Sequence, residues 1–339
     1  MPSLIDLPLE IRVMVFKEVI NGHRTPPISP SKSNMVEITD TECTASNGHP
    51  KFNHEKHDRH SPSNSLPLLL TSRQVSVDTQ SILNRMKKII YVLDFSILNE
   101  QDMFSTWISV PHLTTRLSTL YIDLRLFGHI LTCNDVKQAR ERGGRGGGYN
   151  TINWLFPAFL DRFLLHGPVG EKKGGSVNSY EDRVITVENL IFDFHSAETK
   201  LPFPPLDIEY QHWLDNGPTD PLYIRMSEMS EDLKYKARPH WPLRSWTEWL
   251  RDITNMGYIT EKHAGLIYER IGTISMLLNG RRMTTVDIAD RLAKVLIQSP
   301  LYTMDQRYWG VGVSGFQKWG ETVLLKREVL NSLLCSHRT

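Results

Sequence analysis

Three cysteines in 339 residues, Cys43, Cys133 and Cys335, are too few and too far apart for a disulfide framework, and no C-x-x-C pair is present to hold zinc. Neither sign of charge is in excess: 39 basic side chains face 38 acidic ones, a formal net charge of +1. That excludes a whole-molecule field of the kind that gathers nucleic acid or coats an anionic membrane, so any such binding has to be local. No uninterrupted apolar run approaches the roughly 18 to 20 residues of a membrane helix. The opening, MPSLIDLPLEIR, lacks the basic start and apolar run of a signal peptide, and no N-x-S/T glycosylation acceptor occurs. The expected location is cytoplasm or nucleus.

Catalytic signatures are also missing. Gly312-Val-Ser314-Gly315 lacks the second glycine position of a nucleophile elbow, and His54-Glu55-Lys56-His57 has the wrong spacing for a zinc-protease helix. No Walker loop occurs, and the glycines at 143–148 do not follow a strand in dinucleotide-binding spacing. Cys43, His49, His54, His57 and His60 cluster in a polar stretch without a core to set metal-ligand geometry. No catalytic residue, metal or cofactor is therefore assigned, and the chain is expected not to be an enzyme.

What is there begins with enough apolar residue, 40% of the chain, to bury a proper core without staples. Residues 6–20 read as an amphipathic helix with Ile11, Met14, Val15 and Val19 on one face. Pro8 and Glu10 suit its first turn and Asn21-Gly22 its stop. Residues 22–66, with five prolines and seven serines, read as a disordered or loosely held insertion. In it Thr25, Ser29 and Ser61 each precede proline, which makes them candidates for proline-directed phosphorylation. A second helical segment follows, with Val75, Thr79, Ile82, Leu83 and Met86 on one face, expected to pack on the first.

Three segments then share an alternating pattern around an aspartate: YVLDF at 91–95, LYIDL at 120–124 and LIFDF at 190–194. Alternation rich in aromatic and branched residues is a strand signal. Leu117 and Val187, three positions upstream of the second and third copies, complete the strand part of an irregular leucine-rich-repeat-like unit. A helix with Leu155, Phe159 and Phe163 as its core stripe lies between copies, so parallel pairing with helices on one side is expected. A fourth strand is weakly suggested at Leu222–Met226. Beyond residue 240 the pattern reads as helical: a capping box at Ser245 and Glu248, one helix from Thr260 to about Leu278, another from Thr284 to about Gln298, and a last one near 320–334. The fold class is mixed α/β, with N-terminal helices over 1–86, a repeat-like body over 87–226 and a C-terminal helical region over 227–339.

Two further features suggest binding. Trp241, Trp246 and Trp249 form the densest aromatic stretch and are candidates for a substrate-binding surface, the alternative being that they anchor the C-terminal helices on the sheet. Arg140 to Gly148 resembles a fragment of an arginine-glycine RNA-binding segment, against which stands a plain surface insertion, and nucleic-acid binding is not expected.

The opening LIDLPLEIRVMVFKEVI resembles the first helix of F-box and F-box-like proteins, through Leu7, Pro8, Glu10, Ile11, Arg12 and Phe16. LLLTSRQVSVDTQSIL is similar to the second signature of fungal F-box-like proteins, through Leu69, Leu70, Thr71, Arg73, Gln74, Val75, Ile82 and Leu83. Ser72 stands where that family has cysteine, and the insertion separates helices that are adjacent in a compact F-box. The resemblance implies helices that bind the Skp-type adaptor of a cullin-RING ubiquitin ligase through Leu7, Pro8, Ile11 and Val15, with the α/β body recruiting a protein substrate. It equally allows a stand-alone scaffold or binding module without a ligase role.

Overall fold

In the three aspartate-bearing segments every second residue is apolar, and those residues all point into one core: Leu93, Phe95, Leu120, Ile122, Leu124, Leu190, Phe192 and Phe194 are each at most 2% exposed. A computed structural model describes residues 4–30, 35–37, 52–55, 63–100, 102–130, 159–168, 184–196, 200–210, 235–254, 261–298 and 318–328. In chain order its main elements are α1 (Leu9–Ile20), β1 (Met35–Glu37), β2 (Phe52–Glu55), α2 (Ser65–Thr71), α3 (Arg73–Arg85), β3 (Ile90–Leu98), β4 (Asp102–Ser109), β5 (Arg116–Phe127), β6 (Thr186–Phe194), α4 (His240–Thr254), α5 (Glu261–Arg270), β7 (Ile271–Leu278), β8 (Arg281–Asp287) and α6 (Ile288–Gln298). The fold is mixed α/β.

One eight-stranded sheet runs β1-β2-β4-β3-β5-β6-β7-β8. Its centre, β3-β5-β6-β7, is parallel. The three repeat segments are thus adjacent strands, and their aspartates lie in one row: Asp94 pairs with Asp123 and Asp123 with Asp193. Leu277 of β7 ends the row. Antiparallel hairpins β3–β4 and β7–β8 flank this centre.

The apolar face of the sheet is covered by helical residues 159–166 and by α4, α5 and α6. Phe163 packs on Tyr91 and Trp107, and Trp246 stands edge-on to Phe192 and Phe194. A separate, smaller core joins α1 to α3, where Phe16 and Ile20 meet Val75 and Ile82, with Leu83 and Met86 beside them. Among the described residues no helix is long and apolar enough to cross a membrane.

Several expectations need correction. The segment 22–66 is not all loose insertion: β1 and β2 pair antiparallel, and β2 adds to the edge of the sheet along β4. The C-terminal region is not a pure helical layer, because the helix expected to reach Leu278 ends at Arg270 and the chain turns into β7 and β8. The hairpin between them is made by Asn279 (φ 50°) and Gly280 (φ 77°), a pair suited to the left-handed region that a tight hairpin turn requires. The helix expected from Thr284 starts instead after Asp287, whose Oδ1 accepts the Asp290 N–H. Helix α4 starts at His240, with Pro242 in its first turn, so Ser245 is a buried interior residue and not a cap. Trp241 and Trp246 are 1% exposed, so these two anchor α4 on the sheet and are not available as a substrate surface, while Trp249 is half-buried against the same core. The suggested strand at Leu222–Met226 lies outside the described residues.

Candidate functional site

Pro8 precedes the first turn of α1, and its carbonyl accepts the N–H groups of Ile11 and Arg12. Arg12 then reaches back and across. Its Nη1 donates to the carbonyls of Ile5 (2.7 Å) and Leu7 (3.3 Å), and its Nη2 lies 3.1 Å from Asp78 Oδ2 of α3. Gln74 Nε2 donates to the other Asp78 oxygen at 2.9 Å. Helix α3 opens on Ser72, whose hydroxyl accepts the Val75 N–H. The two sequence motifs therefore meet in space: Arg12, Gln74 and Asp78 clamp α1 on α3, above the Phe16 and Val75 core. Glu10 and Arg73 lie on the surface.

With Phe16 and Ile20 turned inward, the rest of α1 and the turn before it present apolar residues to solvent. Leu7, Ile11 and Val15 are exposed, as is Pro8, and Leu4, Ile5, Leu9, Met14 (64%) and Val19 join them. Leu66, Leu70 (76%) and Val77 add more from α2 and α3. The stripe Ile11, Met14, Val15 and Val19 read from the sequence is this outward stripe; the core side of α1 is carried by Phe16 and Ile20.

A second polar constellation lies on the sheet face opposite the main core. Asp94, Asp123 and Asp193 share that face, and the residue two positions after each shares it too: Ser96, Arg125 and His195. The aspartates are tied to neighbouring strands and turns. Arg125 of β5 gives Nε to Asp94 Oδ1 and Nη2 to Oδ2, while Ser96 Oγ donates to the same carboxylate. His195, just past β6, places Nε2 2.7 Å from Asp123 Oδ1 and 3.6 Å from Asp193 Oδ2. The Gly280 N–H of the β7–β8 turn donates to Asp193 Oδ1 at 2.9 Å, and Tyr121 Oη donates to its Oδ2. Burial pushes the Asp94 carboxyl above the usual carboxylate range, and the hydrogen bonds and charge of Arg125 hold it back. Burial and the Asp193 hydrogen bond push the Tyr121 phenol up.

This arrangement pins strand register. It contains no nucleophile set against a base, and among the described residues no group of three or more His, Cys, Asp or Glu could hold a metal ion. Of the five metal-ligand candidates, only His54 falls on described backbone. The Arg140–Gly148 segment lies outside the described residues. The aspartates were legible as a repeat, whereas Arg125, His195 and Tyr121 were not picked out; period-2 spacing on a strand, applied to Asp-x-Arg and Asp-x-His, was the signal for the first two. Compared with family models, with curated proteins and with solved structures, the chain matches none.

Proposed function

We propose that this chain is a non-catalytic protein-interaction protein of the F-box-like class, whose N-terminal helices dock the Skp-type adaptor of a cullin-RING ubiquitin ligase and whose α/β body recruits a protein substrate. The supporting observation is the outward apolar face of α1. Leu7 and Pro8, just before α1, and Ile11 and Val15 on it stand exposed, while the opposite side of the helix is already packed. Clustered apolar exposure of this kind on a folded surface is the mark of an interaction site, since water gains nothing from it until a partner covers it.

Ile11→Asp tests the reading. Ile11 is 44% exposed, so the substitution should alter stability by no more than about 0.5 kcal/mol. The full chain should retain the adaptor in co-purification, and the variant should lose it with its circular dichroism unchanged. Failure of the wild-type chain to retain the adaptor, or equal retention by the variant, would sink the ligase reading.

A second reading is a stand-alone scaffold in which the N-terminal helices cap the sheet. It draws on the bonds that tie this unit to the end of β4. Arg24 N donates to the Ile108 carbonyl, Ser109 Oγ to the Gly22 carbonyl, Asn64 N to the Val110 carbonyl and Ser65 N to the Pro111 carbonyl.

A further inference from the structure

After α1 the chain runs over residues 22–30 as a strap without helix or strand, bent at Ile28-Ser29 and pinned at three points. The Gly22 carbonyl accepts from Ser109 Oγ (3.0 Å) and Asn64 Nδ2 (2.9 Å), and Arg24 N donates to the Ile108 carbonyl (2.9 Å). The Pro27 carbonyl accepts from Arg125 Nη2 (2.7 Å), the buried guanidinium that also holds Asp94. Around these pins the strap faces water: Thr25 and Ser29 are exposed, and Ile28 between them is 90% exposed. Thr25 and Ser29 are each followed by proline, which drives the preceding residue into the extended region. Residues 22–27 have no regular secondary structure. The strap therefore already displays both hydroxyls to solvent beside their prolines and outside any helix or strand, so a proline-directed kinase meets them without local unfolding.

We propose that Thr25 and Ser29 are sites of proline-directed phosphorylation, and that phosphate there releases the strap from Arg125. This goes beyond adaptor docking and does not depend on it. In the step, the hydroxyl oxygen of Thr25 or Ser29 attacks the γ-phosphorus of ATP. The bond from that phosphorus to the β–γ bridging oxygen breaks, ADP leaves, and the hydroxyl proton passes to the kinase's catalytic carboxylate. Each phosphate brings a charge of about −1.5 to −2 to within two residues of Pro27. Arg125 is already engaged by the Asp94 carboxylate and buried beneath the strap, so it is poorly placed to serve a solvated dianion as well. The dianion also repels the Asp94 carboxylate. The Pro27 to Arg125 bond, a single hydrogen bond to a neutral carbonyl, is the contact that yields.

The test uses the full chain, ATP and a purified proline-directed kinase, with phosphosites mapped by mass spectrometry. Four Ser/Thr-Pro pairs occur in the chain, at Thr25, Ser29, Ser61 and Ser299. Phosphate should enter Thr25, Ser29 or both, and the double variant Thr25→Ala/Ser29→Ala should remove it from that peptide. Incorporation confined to Ser61 or Ser299, or none at all, overturns the assignment. Hydrogen exchange then reads the release: the Arg24 amide, held on the Ile108 carbonyl three residues before Pro27, should exchange about tenfold faster in the phosphorylated chain. Exchange unchanged within about twofold overturns the release. No adaptor enters this assay, so its outcome is separable from that of the docking experiment.

Discussion

Arg125 carries two of this protein's connections at once, since its guanidinium closes on Asp94 of the neighbouring strand and on the Pro27 carbonyl of the strap. Both charges are almost fully buried, Asp94 at 1% and Arg125 at 7%. Removing one partner of such a pair leaves the other charge in a low-dielectric site, which costs about 3 to 5 kcal/mol. Arg125→Met should therefore lower the urea midpoint strongly, and in a pH-dependent way. Asp94 has a folded pKa above its unfolded value, so the folded state binds the proton more tightly. Its contribution to stability is full below the ordinary carboxylate range, about 4, and fades as pH rises through the window up to the folded value. Without Arg125 only the Ser96 hydrogen bond is left to oppose burial, and the window extends upward. The deficit of the variant should be larger at pH 7.5 than at pH 5, and an equal deficit at the two would refute this account.

At the level of elements, two glycines on the sheet rim separate backbone strain from crowding. Gly280 (φ +77°) closes the β7–β8 hairpin, and a Cβ built on it would meet nothing nearer than Asp193 Oδ2 at 4.0 Å. Gly280→Ala should cost only the left-handed penalty, about 1 to 2 kcal/mol. Gly128 (φ +74°), just past β5, would place its Cβ 1.9 Å from Asn99 Oδ1, the atom that accepts the His129 N–H. Gly128→Ala must add displacement of that carboxamide to the same penalty. Thermal unfolding should accordingly show a clearly larger loss for Gly128→Ala. The Asn279-Gly280 pair was also the local signal for β7 and β8, because Asn-Gly between apolar-rich runs is a hairpin signature. Periodicity read it as helix, since IGTISMLL also contains residues at helical spacing. Pairing with β6, over Val187 to Phe194, decides for strand.

Across the whole molecule the described residues form two cores, a large one under the sheet and a small one of Phe16, Ile20, Val75 and Ile82. They are linked by the strap and by the bonds to β4, not by shared apolar packing. Phe16→Ala should cost about 3 to 5 kcal/mol. If the N-terminal helices are a separate docking unit, hydrogen exchange will quicken in α1 to α3 while β5 and β6 stay protected. Quickened exchange in the central strands as well would favour the scaffold reading, in which those helices cap the sheet.

The sequence by itself determined what depends on neighbours along the chain. Alternation around Asp94, Asp123 and Asp193 marks three strands, Asn21-Gly22 ends a helix, and the Val75, Thr79 and Ile82 spacing marks the inner face of α3. Tertiary structure decided what depends on partners distant in the chain. Helix α1 has apolar residues on more than one side, and only the position of α3 settles that Phe16 and Ile20 go inside while Ile11 and Val15 stay out. The same holds for Trp241 and Trp246, which are large apolar side chains suited equally to a core or an interface until Phe192 and Phe194 are brought beneath them. It holds for Arg125 too, whose charge could have remained in water had β3 not carried Asp94 to its side.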